Sequence, residues 1–75
     1  MSAELYLATK QEFDEAIANT TSSGKALIVD FTASWCPPCQ MIGPVFERLA
    51  GEHPELTFKK VDVDNNREAA QSAQI

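Results

Sequence analysis

The chain has 75 residues, 44% hydrophobic and 23% charged, with a formal net charge of −5. This describes one ordinary domain over residues 1–75, near the small end of what folds alone, and the acidity excludes the basic patch that nucleic-acid binding requires. Two cysteines are too few for a secreted disulfide scaffold, no segment approaches the ~20 apolar residues of a membrane span, and the first residues lack a secretory signal, so a cytoplasmic protein without nucleic-acid or membrane partners is expected.

In chain order, ELYLAT (Glu4 to Thr9) alternates with Leu5 and Leu7 on one side and predicts a short strand. Thr9 and Glu12 have the spacing of a capping box. They open a predicted helix to about Asn19, with Phe13, Ala16 and Ile17 on one face, broken by the turn residues TTSSG (Thr20 to Gly24). KALIVDFTA (Lys25 to Ala33) is almost continuously apolar, as expected of a strand buried on both faces in a parallel sheet.

A second helix is predicted after Trp35 and Cys36, with Pro37 in its first turn, where a missing N–H costs nothing. Ile42, Val45, Phe46 and Leu49 recur at helical spacing as a core-facing stripe, Pro44 should kink the helix, and Gly51 should stop it. LTFKKVDV (Leu56 to Val63) predicts a strand with both faces partly covered, and DNN (Asp64 to Asn66) caps a last helix to about Gln74. The β-α-β-α-β-α order implies a parallel α/β sheet with right-handed crossovers.

Both cysteines lie in WCPPC, Trp35 to Cys39. A structural staple is a poor use of them, because so short a loop removes little unfolded-state entropy. A structural zinc takes four N or S ligands, and Cys36, Cys39 and the distant His53 do not supply them, so no metal is expected. Asp62 to Asn66 starts like a calcium loop, but Arg67 and Ala73 stand where it needs glycine and glutamate.

A redox dithiol fits best. Cys36 falls at a helix start, where unpaired N–H groups and the helix dipole favour a thiolate, so it is the expected nucleophile. Cys39, one turn further in and expected to be more buried, is placed to resolve a mixed disulfide. Pro37 and Pro38 fix two φ angles between them and should influence the redox poise. Asp30 interrupts the apolar strand. As a buried acid with a raised pKa it could take and return the Cys39 proton. Lys60 on a neighbouring strand would moderate that shift, and Trp35 would flank the reactive sulfur as an apolar contact face.

The segments VDFTASWCPPCQMIGPVFERLA and FKKVDVDNN resemble the thioredoxin family in order and spacing over essentially the whole chain. The resemblance implies a thioredoxin-like α/β fold and a protein-disulfide reductase without a cofactor, recharged by a thioredoxin-reductase-type donor. It puts the attacking cysteine on Cys36, the resolving cysteine on Cys39, the buried acid on Asp30, the active-site tryptophan on Trp35 and the helix proline on Pro44. Pro-Pro replaces the usual Gly-Pro, and Gln40 stands where a basic residue is common.

The family's cis-proline loop, antiparallel strand pair and last helix have no counterpart in these residues. The family's sheet order, first-third-second-fourth-fifth, then leaves Ala26 to Thr32 at an open edge that invites self-association. A truncated association module with little or no turnover, dimeric or domain-swapped, is therefore the alternative expectation.

Overall fold

The computed structural model describes residues 5–74, so Met1 to Glu4 lie outside the described residues, as does Ile75. The elements are α1 (Lys10–Ser23), β1 (Leu27–Thr32), α2 (Pro37–Glu52), β2 (Thr57–Asp62) and α3 (Arg67–Ser72). The two strands pair in parallel, from Leu27 opposite Thr57 to Thr32 opposite Asp62.

The first predicted strand shrinks to a single parallel bridge between Tyr6 and Lys60, with Leu7 N–H donating to the Lys60 carbonyl at 2.8 Å. Leu7 is still buried, but among the described residues only that one rung of ladder forms. The bridge lies on the free side of β2, so the spatial order is first segment, β2, β1, the order expected for the first three strands.

Thr9 caps α1 by accepting from the Glu12 N–H at 3.1 Å, while a Glu12 carboxylate oxygen accepts from the Ala8 N–H at 2.7 Å. The helix outruns its predicted end at Asn19. Thr21 and Ser22 hydroxyls donate to the carbonyls of Ile17 and Ala18, so these turn-forming residues are accommodated in the last turn. It stops at Gly24, whose φ of 77° is left-handed and suited to glycine. In α2 the helix continues through Pro44 and past Gly51 to Glu52, and His53 is its C-cap. Asn66 caps α3, its side chain accepting from the Ala69 N–H.

The sheet separates two unequal layers. On one face Leu7, Phe13, Val61 and Ala69 form a closed core, joined by Ala16, Val29, Phe31 and Ala73 from α1, β1 and α3. On the other face α2 packs through Phe46, edge-on to Phe58 with ring centroids 5.3 Å apart.

Two expectations fail on this second face. Of the predicted core stripe only Phe46 is buried; Ile42, Val45 and Leu49 are 53%, 40% and 36% exposed. Ile28 on β1 is also exposed, so the strand is not buried on both faces. The cause is common to both: among the described residues β1 pairs only with β2, and no element lies beyond it to cover these side chains.

Candidate functional site

The chain leaves β1 at Thr32, and Cys36 N–H closes a turn onto the Ala33 carbonyl at 3.2 Å. Cys36 then serves as the N-cap of α2, with Pro37 and Pro38 in the first two helical positions. Prolines fit there because their φ is preset and no donor is lost to the ladder. They also remove N–H groups that would otherwise face Cys36. The Gln40 N–H is taken by the Cys36 carbonyl at 3.1 Å, leaving the Cys39 N–H as the free donor of this turn.

Cys36 and Cys39 are joined as a disulfide, with Cα atoms 5.3 Å apart. Both residues are half-buried. Gln40 ties the helix back to the preceding turn: its amide donates to the Ala33 carbonyl at 2.7 Å. The Ala33 carbonyl thus accepts from both Cys36 and Gln40, pinning the segment that carries the first cysteine.

Trp35 is 67% exposed, and its indole N–H donates to an Asp64 carboxylate oxygen at 2.6 Å. The ring is held in place while its apolar face stays open to solvent beside the dithiol. Asp64 sits in the turn after β2, where Asp62 Oδ1 accepts from the backbone N–H groups of Asp64 and Asn65. Sequence reading gave Asp64 only a part in capping.

Asp30 lies on β1 opposite Lys60, whose ammonium reaches α2, so it belongs to the side of the sheet that faces α2. As a residue it is only partly buried, yet its Oδ2 is sealed from solvent and has no hydrogen-bond partner. Burial pushes its carboxyl above the ordinary range, and the positive charge of Lys60 works in the opposite direction. Lys60 is its direct neighbour across the ladder.

The Lys60 ammonium is buried and bonds elsewhere, to Glu47 Oε2 of α2 at 2.8 Å. It also lies 5.5 Å from the Tyr6 ring centroid, a cation–π contact. Glu47 escaped sequence reading. Its spacing from Lys60 carries no pattern, and only the packing of α2 on β2 joins them. The lone histidine, His53, is apart from all this at the far end of α2, paired with Glu55 at 3.1 Å.

A cysteine pair on a helix N-terminus, a sealed acid on the strand that leads to it and an exposed aromatic beside it together have the parts of a thiol-exchange site. Comparisons with known proteins point to one family. The family profile that matches is Thioredoxin, over residues 4–75. The chain is 46% identical over 70 residues to a thioredoxin of Geodia cydonium, covering 93% of this chain and 64% of that protein. It is 46% identical over 66 residues to an H-type thioredoxin of Oryza sativa subsp. indica, covering 88% and 54% respectively. The X-ray structure of Fasciola hepatica thioredoxin superposes with a TM-score of 0.85 at 45% identity, covering 92% of this chain and 64% of that one. The chain thus spans less than two thirds of the length of these relatives.

Proposed function

The chain belongs to the thioredoxin family, and from that premise we propose that it is a thiol–disulfide oxidoreductase that reduces protein disulfides through Cys36 and Cys39. The observation that carries this reading is the Cys36–Cys39 pair at the N-terminus of α2, backed by the sealed Asp30 carboxyl.

In the reduced protein the Cys36 thiolate attacks one sulfur of the substrate disulfide. That S–S bond breaks, a mixed disulfide forms, and the departing substrate thiolate takes a proton from water. Asp30 then accepts the Cys39 proton. The Cys39 thiolate attacks Cys36 Sγ, and the second substrate sulfur leaves, protonated from Asp30. Two electrons have passed from the dithiol to the substrate, and the Cys36–Cys39 disulfide remains. A thioredoxin-reductase-type donor restores the dithiol. Trp35 offers its exposed face to the substrate, Pro37 and Pro38 set the ring geometry, and Lys60 moderates the charge on Asp30. No cofactor takes part, and a cytoplasmic setting suits a dithiol that must be kept reduced.

Turnover of a protein disulfide with dithiothreitol tests the reading. The wild type accelerates reduction and Cys36→Ser does not; equal rates for the two refute it.

The uncovered edge of β1 and the exposed Ile28, Ile42, Val45 and Leu49 favour a second reading, self-association through the Ala26 to Thr32 edge. Sedimentation at micromolar concentration then gives a dimer that Ile28→Lys dissociates. A wild type that is monomeric throughout contradicts it.

A further inference from the structure

Lys60 and Asp30 are direct partners across a parallel ladder, opposite in sign, in a partly desolvated space. Such neighbours, with β-carbons roughly 5 Å apart, ordinarily pair. Here they do not. Asp30 Oδ2 is sealed and unpartnered, while the Lys60 ammonium bonds to Glu47 at 2.8 Å.

We propose that Glu47 is a positioning residue that holds the Lys60 ammonium away from the Asp30 carboxyl, leaving that carboxyl without a hydrogen-bonded counterion. The inference rests on the proposed reaction only for its consequence, not for its geometry.

Three features build the arrangement. Glu47 sits one turn beyond Gly43 on the face of α2 that meets the sheet, and its side chain is 30% exposed, against 6% for Lys60. The pair thus places the buried cation against a carboxylate that water still reaches. The ammonium lies against the Gly43 turn of α2: a β-carbon there would meet Lys60 Nζ at 3.5 Å, ordinary van der Waals contact. The Tyr6 ring lies 5.5 Å from the ammonium.

The charged and titratable groups around Asp30 are then Lys60 and Asp62 on β2, Glu47 and the dithiol on α2, and the Tyr6 phenol beyond Lys60. Asp62 is engaged with the Asp64 and Asn65 N–H groups. Among the described residues Lys60 is therefore the one group that could neutralise Asp30 directly, and Glu47 claims it. A carboxylate paired with an ammonium is a weak base, whereas an unpaired, desolvated one is poised to accept the Cys39 proton nearer neutral pH.

The test is the titration of the Asp30 carboxyl, followed by carbon NMR in the reduced protein. Glu47→Ala frees Lys60 to swing onto Asp30, and the Asp30 midpoint falls by about one pH unit. Glu47→Gln, which preserves side-chain volume should the alanine variant fold poorly, gives a smaller fall in the same direction, because a neutral acceptor holds the ammonium less strongly. Glu47→Asp keeps the wild-type midpoint. In a Lys60→Met background, removing Glu47 no longer moves Asp30.

An unmoved midpoint in both Glu47→Ala and Glu47→Gln overturns the inference. So does an undiminished shift in the Lys60→Met background, which would make Glu47 act by its own charge. The pH profile of the resolving step gives the functional readout, its acidic limb moving with the Asp30 midpoint. If Asp30 moves while both chemical steps keep their wild-type profiles, Glu47 does hold Lys60 away, and it is the role of Asp30 in the reaction that falls.

Discussion

The two faces of the sheet are built from the same strands and follow opposite rules. Towards α1 and α3, Phe13, Val61, Leu7 and Ala69 close into an apolar core. Towards α2, the strands present Asp30, Thr32 and Lys60 together with Phe58, and the helix leaves Ile42, Val45 and Leu49 in water. One face supplies stability through shape and area. The other puts an ion pair, an unpartnered acid and a disulfide into a space that apolar side chains could have filled. A buried polar group without a partner costs free energy, so the α2 face gives up stability at the place where the proposed chemistry happens.

The contrast can be broken most severely at the dithiol. Cys36→Ser should reduce disulfide reduction to the uncatalysed background, a loss of about a thousandfold or more, while leaving the opposite face intact by circular dichroism. Cys39→Ser should instead accumulate the mixed disulfide with substrate, seen as an adduct by mass spectrometry.

Phe13→Ala tests the closed face. Removing this ring from a packed core should cost about 3–5 kcal/mol in urea unfolding, enough to unfold much of a domain this small. On the open face, Ile42→Ser or Val45→Ser should cost less than about 0.5 kcal/mol. A loss there as large as at Phe13 would mean that the stripe is covered in solution, as self-association would make it.

Asp30→Asn should act in opposite directions on activity and stability. The resolving step should slow by roughly a hundredfold, the lower end of what general acid–base catalysis contributes, with the first attack much less affected in single-turnover kinetics. Stability should rise at neutral pH. The folded-state pKa of Asp30 is raised, so its carboxyl favours the folded state fully below the unfolded value of ~3.9 and loses that contribution as pH climbs through the folded pKa. The asparagine variant, which cannot ionise, should therefore be the more stable at pH 7, and its advantage should shrink as pH falls towards ~3.9, where the wild-type carboxyl is protonated too.

Pro37→Gly should have the smallest effect. It restores an N–H at the first helical position, and the Cys36 thiol midpoint, followed by thiolate absorbance, should drop by a few tenths of a pH unit, roughly the free energy of one weak helix-terminus interaction.

Where local rules decide the outcome, the sequence was a good guide. The Thr9–Glu12 box, the prolines opening α2 and the Asn66 cap each act through neighbours within one turn. The stretch Thr20 to Ser23 shows the limit of such rules: the hydroxyls of Thr21, Ser22 and Ser23 donate to carbonyls of the preceding turn, so residues that often end helices extend this one. Helical periodicity identified the stripe of Ile42, Val45 and Leu49, but periodicity says which residues share a face and not what covers it. The first strand, with its alternating leucines, was legible as a pattern but forms only the Tyr6 bridge.

The site divides in the same way. Cys36, Cys39 and Trp35 announce themselves by adjacency and Asp30 by interrupting an apolar run. The bonds that Lys60 donates to Glu47 and Trp35 donates to Asp64 join residues 13 and 29 positions apart. Only the packing of helix on sheet and the turn after β2 bring those groups together.

The central claim, that this chain carries a working dithiol on its α2 face, is tested most directly by a single turnover without any reductant. Fully reduced protein, freed of dithiothreitol, is mixed with an excess of a protein disulfide, and released thiols and the redox state of Cys36 and Cys39 are followed together. The account predicts one substrate disulfide reduced per chain, with the Cys36–Cys39 disulfide forming in step. Folded, reduced protein whose two thiols persist beside unreduced substrate would contradict it.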